Sequence, residues 1–251
     1  MRYAHHLPPE SDRRYRSQDG AVTRTLPLEW SDTMGYVVGL LATDGCLSSS
    51  GRHIFFDSCD ESLVRTFLSC LGRPIRYRTT STRVGGLSYQ AAFGDVRLYR
   101  WLVGIGLMPR KSLVLGAIAV PDAHLPALLR GLFEGDGTIQ NFTHRPTPST
   151  YPTYAYERLW TYFTSASRAH IEWIRERTSS LLSVRGYIEV RPPREGRHAF
   201  YRLKFGKRDS ITLLSAMYPT DDVPKLERKW KVWHEYRLRR LPGSSSAGGG
   251  I

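Results

Sequence analysis

Two Asp-Gly pairs, Asp44-Gly45 and Asp136-Gly137, stand 92 residues apart, and each ends an apolar run with helical spacing. A carboxylate at the C-terminal end of a helix faces the negative pole of the helix dipole, an unfavourable placement by several tenths of a kcal/mol. Two such carboxylates held close together repel and raise one another's pKa. A divalent cation relieves both effects. Mg2+ (or Mn2+) takes a few carboxylate oxygens and fills its remaining positions with water and substrate phosphate, which suits so sparse a pair. Gly45 and Gly137 then read as left-handed helix stops just beyond the acids.

What would bring the two helix ends together is written in the residues before them. Gly35, Gly39 and Thr43 recur every four residues, as do Ala127, Gly131 and Gly135, so each helix has one face of small side chains. Glycine inside a helix costs about 0.5–1 kcal/mol relative to alanine. Close approach of two helix backbones along those faces is a reason to accept that cost.

The same offset relates Gly39 to Gly131 and Leu40 to Leu132, and the similarity continues downstream. The first half reads as strands over 46–50 and 52–58, a helix over 61–72, strands in RPIRYRTT and LSYQAAFG, and a helix in VRLYRWLVGIG. The second reads as strands in TIQNF and RLWTYFTS, the helix RAHIEWIRERTSSLLS, strands in GYIEVRPP and HAFYRLKFG, and the helix SITLLSAMYP. Each half is therefore α-β-β-α-β-β-α, an α+β chain with internal repetition. The Pro/Thr/Tyr-rich stretch 142–157 absorbs most of the extra length of the second half as a long loop. A final helix over 224–240 follows, whose Trp230, Trp233 and Tyr236 read as a packing stripe. The division is a flexible basic arm at 1–26, repeats at 27–120 and 121–242, and a disordered tail at 243–251, GSSSAGGGI.

Composition narrows the partners. Over 251 residues, Lys+Arg 36 against Asp+Glu 23 leaves a formal charge of +13, which favours a polyanion through counterion release. Hydrophobic content of 41% suffices for a core and excludes wholesale disorder. No run is long and apolar enough for a membrane span and the N-terminal stretch MRYAHHLPPESDRRYRSQDG has no apolar h-region, so neither membrane spanning nor secretion is expected. Cys46, Cys59 and Cys70 form no Cys-x-x-Cys pair and read as buried thiols in a reducing, intracellular setting.

The segments VVGLLATDG (37–45) and LRGLFEGDG (129–137), with matched repeats after each, resemble the LAGLIDADG homing endonucleases, in their single-chain, two-repeat form. The resemblance spans roughly 30–240. It departs from the signature at Thr43 and Gly135, and at Ala42 and Glu134, but keeps the acid at the eighth position of each copy. It implies that the signature helices form a pseudo-twofold interface and that Asp44 and Asp136 bind metal at its centre. It also implies that the two antiparallel sheets form a saddle in the major groove of a long, specific double-stranded DNA site, which a monomer cuts on both strands with Mg2+. Such hydrolysis needs an activated water, in-line approach and relief of charge on the leaving oxygen, all within reach of metals held by two acids. The family further implies a lysine near each scissile phosphate. Lys111 is the candidate in the first half, and Lys229, with Lys225 as the alternative, in the second.

Strand alternation separates the faces that would read bases. Ile75, Tyr77 and Thr79 oppose Arg76, Arg78 and Thr80; Tyr89, Ala91 and Phe93 oppose Ser88 and Gln90. Ile188 and Val190 oppose Glu189 and Arg191; Tyr201, Leu203 and Phe205 oppose Arg202 and Lys204. The polar sets suit guanine, adenine and phosphate contacts, and their assignment to DNA follows from the resemblance. Two other functions fit the same fold: an RNA-binding maturase whose partner is intron RNA, and a DNA-binding regulator that does not cut. The paired acids disfavour the regulator, and an intein is disfavoured because Met1 is no splicing nucleophile.

Overall fold

The computed structural model describes residues 28–82, 85–147, 149–151, 153–193 and 198–240. The arm at 1–26 and the tail at 243–251 lie outside the described residues. The first half runs α1 (Asp32–Thr43), β1 (Gly45–Leu47), β2 (His53–Ser58), α2 (Glu61–Cys70), β3 (Arg78–Ser81), β4 (Leu87–Gly94) and α3 (Val96–Gly104). The second runs α4 (Leu125–Asp136), β5 (Thr138–His144), β6 (Tyr156–Ser165), α5 (Arg168–Leu182), β7 (Tyr187–Arg191), β8 (Phe200–Phe205) and α6 (Lys207–Met217), and α7 (Glu227–Arg240) follows. The sheets have the same antiparallel order, β1-β2-β4-β3 and β5-β6-β8-β7. The α+β, two-repeat architecture expected from the sequence is present.

Helix starts follow local chemistry. Ser31 caps α1, its hydroxyl accepting from the Met34 amide at 3.1 Å. Pro126 lies in the first turn of α4, where a missing amide hydrogen costs nothing. His124 Nδ1 lies 2.8 Å from Asp32 Oδ1 and ties the two starts together. Both helices are apolar almost all round, with Tyr36, Val37, Val38, Leu40, Leu128, Leu129 and Phe133 buried. That pattern belongs to helices enclosed by protein on every side. One flank of the pair meets Ile54, Phe56 and α2, where Phe56 and Phe67 stack at 4.4 Å between ring centres. The other meets Phe163, which packs edge-on against Phe133 and Phe205, each at 6.2 Å.

The small-residue faces meet. A Cβ on Gly39 would stand 2.8 Å from the Gly131 Cα and 2.7 Å from the Leu132 amide nitrogen, closer than side-chain carbons ever stand. A Cβ on Gly131 would strike the Tyr36 carbonyl oxygen, and one on Gly135 the Thr43 hydroxyl.

Several expectations need correction. Gly45 and Gly137 are not left-handed; Gly137 has φ −81° and ψ 166°. They are glycines because a Cβ would lie 2.5 Å from the carbonyl oxygens of Leu41 and Phe133, where the chain folds tightly back over the last helical turn. The strand expected in RPIRYRTT begins only at Arg78, so Arg76 precedes β3, and Ile75 is 48% exposed. All four β3 residues are exposed, Thr79 included, on the edge strand of the first sheet. Val190, expected to face inward, is exposed on edge strand β7. Part of 142–157 extends a hairpin whose strands have 7 and 10 residues against 3 and 6 in the first half. α5 takes up further length, with 15 residues against 10 in α2. Cys46 and Cys59 are exposed and Cys70 half-buried, so the thiols are not core residues.

Candidate metal and nucleic-acid site

Asp44 is the C-cap of α1 and Asp136 the last residue of α4, so the touching helices deliver both acids to one end of the interface. Asp44 Oδ2 lies 2.9 Å from where a Cβ on Gly135 would be, and thus faces the last turn of the opposite helix. Asp44 is half-buried and Asp136 exposed. Loss of hydration, and next the charge of Asp136, push the Asp44 carboxyl up to about 7. The Asp136 carboxyl is also raised, by the protein that crowds out part of its water, while Lys229 and Lys111 pull it back. Among the described residues no three His, Cys, Asp or Glu gather as a metal site. The acidic donor set here is these two carboxylates, which fits a hard cation that keeps several waters.

Both lysines expected near the acids are buried, each 6% exposed, and each closes the end of one signature helix. Lys229 Nζ donates to the carbonyls of Phe133 at 2.8 Å, Glu134 at 2.9 Å, Gly135 at 3.2 Å and Gly137 at 2.6 Å. Lys111 Nζ donates to Thr43 O at 3.4 Å and to Gly45 O. The ammonium groups thus satisfy orphan carbonyls at the negative pole of each dipole, where the aspartates are least welcome. Burial depresses both lysines, Lys229 to about 8, and the aspartates oppose that shift. Lys225 is elsewhere, its ammonium over the Trp230 ring at 4.2 Å. We expect Lys229→Met to lower stability by about 2–4 kcal/mol, because four carbonyls lose a charged donor. Lys111→Met should cost less, and urea unfolding of the two variants measures the difference.

A buried polar group beneath the acids is not apparent from motif spacing. Glu134 is 1% exposed and accepts from the Tyr36 hydroxyl of α1 and from the Tyr218 hydroxyl at 3.0 Å. Burial raises the Glu134 carboxyl, while these donors, the Leu226 amide and the Arg130 charge oppose the rise. Arg130 is buried as well and donates to Met217 O at 2.7 Å. Glu134→Leu should cost about 3–5 kcal/mol, since it strands Arg130 and two tyrosine hydroxyls, and calorimetric melting against the parent checks it.

On the outward face of the first sheet, cross-strand register aligns Asp57 with Gln90 and Gln90 with Arg78, and pairs Ser88 with Thr80 in the next row. Gln90 Nε2 donates to Asp57 Oδ1 at 2.8 Å. Asp57, which strand alternation did not single out, borders with Ser88 and Arg228 a cleft of about 260 Å³ that opens onto Asp44. In the second sheet Thr164 pairs with Arg202 and Arg202 with Glu189. Glu189 binds Arg191 at 3.0 Å and also lies 3.9 Å from Arg202 and 3.7 Å from Lys204, so these expected readers are partly engaged with one another. Arg76 lies outside both sheets. In α7, Trp233 and Tyr236 are buried, while Arg237 pairs with Asp221 and Arg240 with Glu157 at 2.7 Å each.

No protein-family model matches the chain, and no curated protein matches it. Solved structures do. Meganuclease I-SmaMI, bound to uncleaveable DNA, superposes with a TM-score of 0.52 at 12% identity, over 84% of this chain and 92% of that one. The I-LtrWI LAGLIDADG homing endonuclease bound to target DNA gives 0.50 at 13% identity, over 83% and 89%. This chain has the LAGLIDADG fold. The same fold occurs in full-length DUF199/WhiA from Thermatoga maritima, with a TM-score of 0.50 at 15% identity, over 85% of this chain. This chain spans 62% of the length of that protein. The LAGLIDADG fold therefore recurs outside proteins described as endonucleases, and function has to be argued from the site. No helix among the described residues is long and apolar enough to cross a membrane.

Proposed function

We propose that this chain is a site-specific, divalent-metal-dependent double-strand DNA endonuclease. The observation that carries the reading is the convergence of Asp44 and Asp136 at the ends of two helices in backbone contact, each closed by a buried lysine. Asp44 and Asp136 would hold Mg2+, which supplies Lewis-acid relief of charge on a phosphodiester and lowers the pKa of a bound water. The protein's own contribution is positional. The glycine faces fix the separation of the two acids. Lys111 and Lys229 anchor the helix ends, and their charges would add to the positive field met by a polyanion's phosphates. The outward residues Arg78, Thr80, Ser88 and Gln90 of one sheet, and Glu189, Arg191, Arg202 and Lys204 of the other, would meet base edges and backbone, with Arg76 beside them.

The two ammonium groups offset the two carboxylates. Cation affinity is therefore expected to depend on phosphate brought by the nucleic acid, and to be weak in its absence. In this reading the chain acts as a monomer on a long DNA site; intron RNA stands as the second partner to test. The decisive experiment incubates a randomised duplex library with the protein in Mg2+ and, separately, in Ca2+. Recovery of one cut sequence family in Mg2+, with binding but little cutting in Ca2+, is the expected result. Retention of specific duplexes without cutting in any divalent metal would instead make the chain a binding protein.

A further inference from the structure

The outward face of the second sheet carries a longer row of rings than the first, where His53 and Phe55 lie 6.5 Å apart. Tyr154, Tyr156, His144, Phe142 and Trp160 follow one another with ring centres 5.7, 5.3, 6.4 and 4.9 Å apart, and the row ends 6.4 Å further on at Tyr162, which is buried at 4% exposure. Register puts these strand residues on one face, with His144 opposite Tyr156, Phe142 opposite Arg158 and Gln140 opposite Trp160. The alternate residues Leu159 and Phe163 point into the core. Cations lie over the rings: Arg158 is 4.7 Å from Tyr156 and 5.2 Å from Trp160, Arg202 is 5.0 Å from Tyr162, and Lys204 is 3.6 Å from Trp160. By register, Phe55 and Ala92 of the first sheet stand where the second has Tyr162 and Lys204.

Neither solubility nor the duplex contacts proposed for Arg202 and Lys204 on this face calls for the rings beside them. A solvated strand needs no contiguous aromatic surface, and a B-form duplex presents only base edges in its grooves. Unpaired bases expose their flat faces, and these stack on aromatic side chains while nearby cations meet the phosphates. The formal charge of +13 supplies a field of the right sign. We propose that this aromatic face is a stacking platform for single-stranded nucleic acid, centred on Phe142 and Trp160. The proposal rests on the nucleic-acid-binding part of the preceding reading and not on cleavage.

The test is fluorescence anisotropy of the full chain with labelled oligothymidylate and oligouridylate of about 16 nucleotides, the upper site size of related stacking surfaces. Both strands should bind, and the better of the two identifies DNA or RNA as the source. Phe142→Ala/Trp160→Ala should raise Kd about 10- to 100-fold. Trp160→Tyr, which keeps a ring, should stay near the parent, whereas Trp160→Leu, apolar but flat-faced no longer, should not. Val103→Ser, at an exposed position of α3, should change nothing. Failure of single strands to bind, or equal Kd for Trp160→Leu and the parent with both melting alike, overturns the platform. Duplex cleavage measured on the same preparations separates the two readings. Strand binding with no duplex cutting leaves the platform and removes the nuclease, and cutting with ring-independent strand binding does the reverse.

Discussion

Asp44→Asn is expected to abolish duplex cleavage, by about 10²–10³-fold or more, while leaving duplex binding intact. Asp136→Asn should do the same, because each acid supplies half of the donor set. Cleavage in Mg2+ and filter binding in Ca2+ read the two properties separately, and undiminished cutting by either variant would remove the acids from the mechanism. The same substitution should make the protein more stable. The Asp44 carboxyl rises from the ordinary 3.8 to about 7, so the folded state holds its proton more tightly than the unfolded chain does. Stability is therefore lost as pH rises from about 4 to 7, and the penalty is complete above that window. Three pKa units would correspond to roughly 4 kcal/mol. Asp44 is only half-buried and keeps part of its hydration, so a gain of about 1–3 kcal/mol at pH 8 is the realistic expectation. The advantage of Asp44→Asn should vanish below about pH 4, which thermal melting across pH checks. Mg2+-dependent cutting by the parent should fall as pH drops through 7, since a protonated carboxyl binds no metal.

Gly39→Val or Gly131→Val should be the most damaging single changes away from the acids, at about 3–5 kcal/mol. The introduced carbons would collide with the Leu128 and Tyr36 carbonyls, backbone atoms that cannot swing aside as a side chain would. Partial accommodation would push the helices apart, and a shift of the order of 1 Å at a catalytic centre costs about 10²-fold in rate. Cleavage should thus fall further than the folded fraction does, which activity per folded molecule resolves. Gly104→Ala is the contrasting case: a Cβ there meets nothing, and the change should be neutral or slightly stabilising. A stability loss as large at Gly104 as at Gly39 would mean that close helix approach is not what these glycines serve.

The reach of the sequence differs from feature to feature. The matched nonamers and their small-residue faces carried the interface, because a four-residue spacing of Gly, Gly and Thr has few physical uses in a helix that must be buried. Alternation in Tyr89–Phe93 and Tyr201–Phe205 carried the inner sheet faces, since a strand with one covered side must repeat every second residue. The family resemblance also pointed to Lys111 and Lys229 late in each half, but their burial against helix-end carbonyls is a product of tertiary packing. The Glu134 group was illegible for the same reason, because Tyr36 comes from α1, Arg130 from α4 and Tyr218 from the residue that ends α6, and they share no local pattern. Arg76 and Val190 went astray where edge strands shorten or lose their cover, which depends on neighbours rather than on residue type.

By itself, then, the amino-acid order determined the duplication, the two signature helices and the acids that end them, all set by local periodicity. The tertiary structure alone decided which polar groups lose their water and which face each other across the halves. Those are properties of three-dimensional proximity, and they govern the pKa of Asp44, the capping by the lysines and the aromatic face of the second sheet.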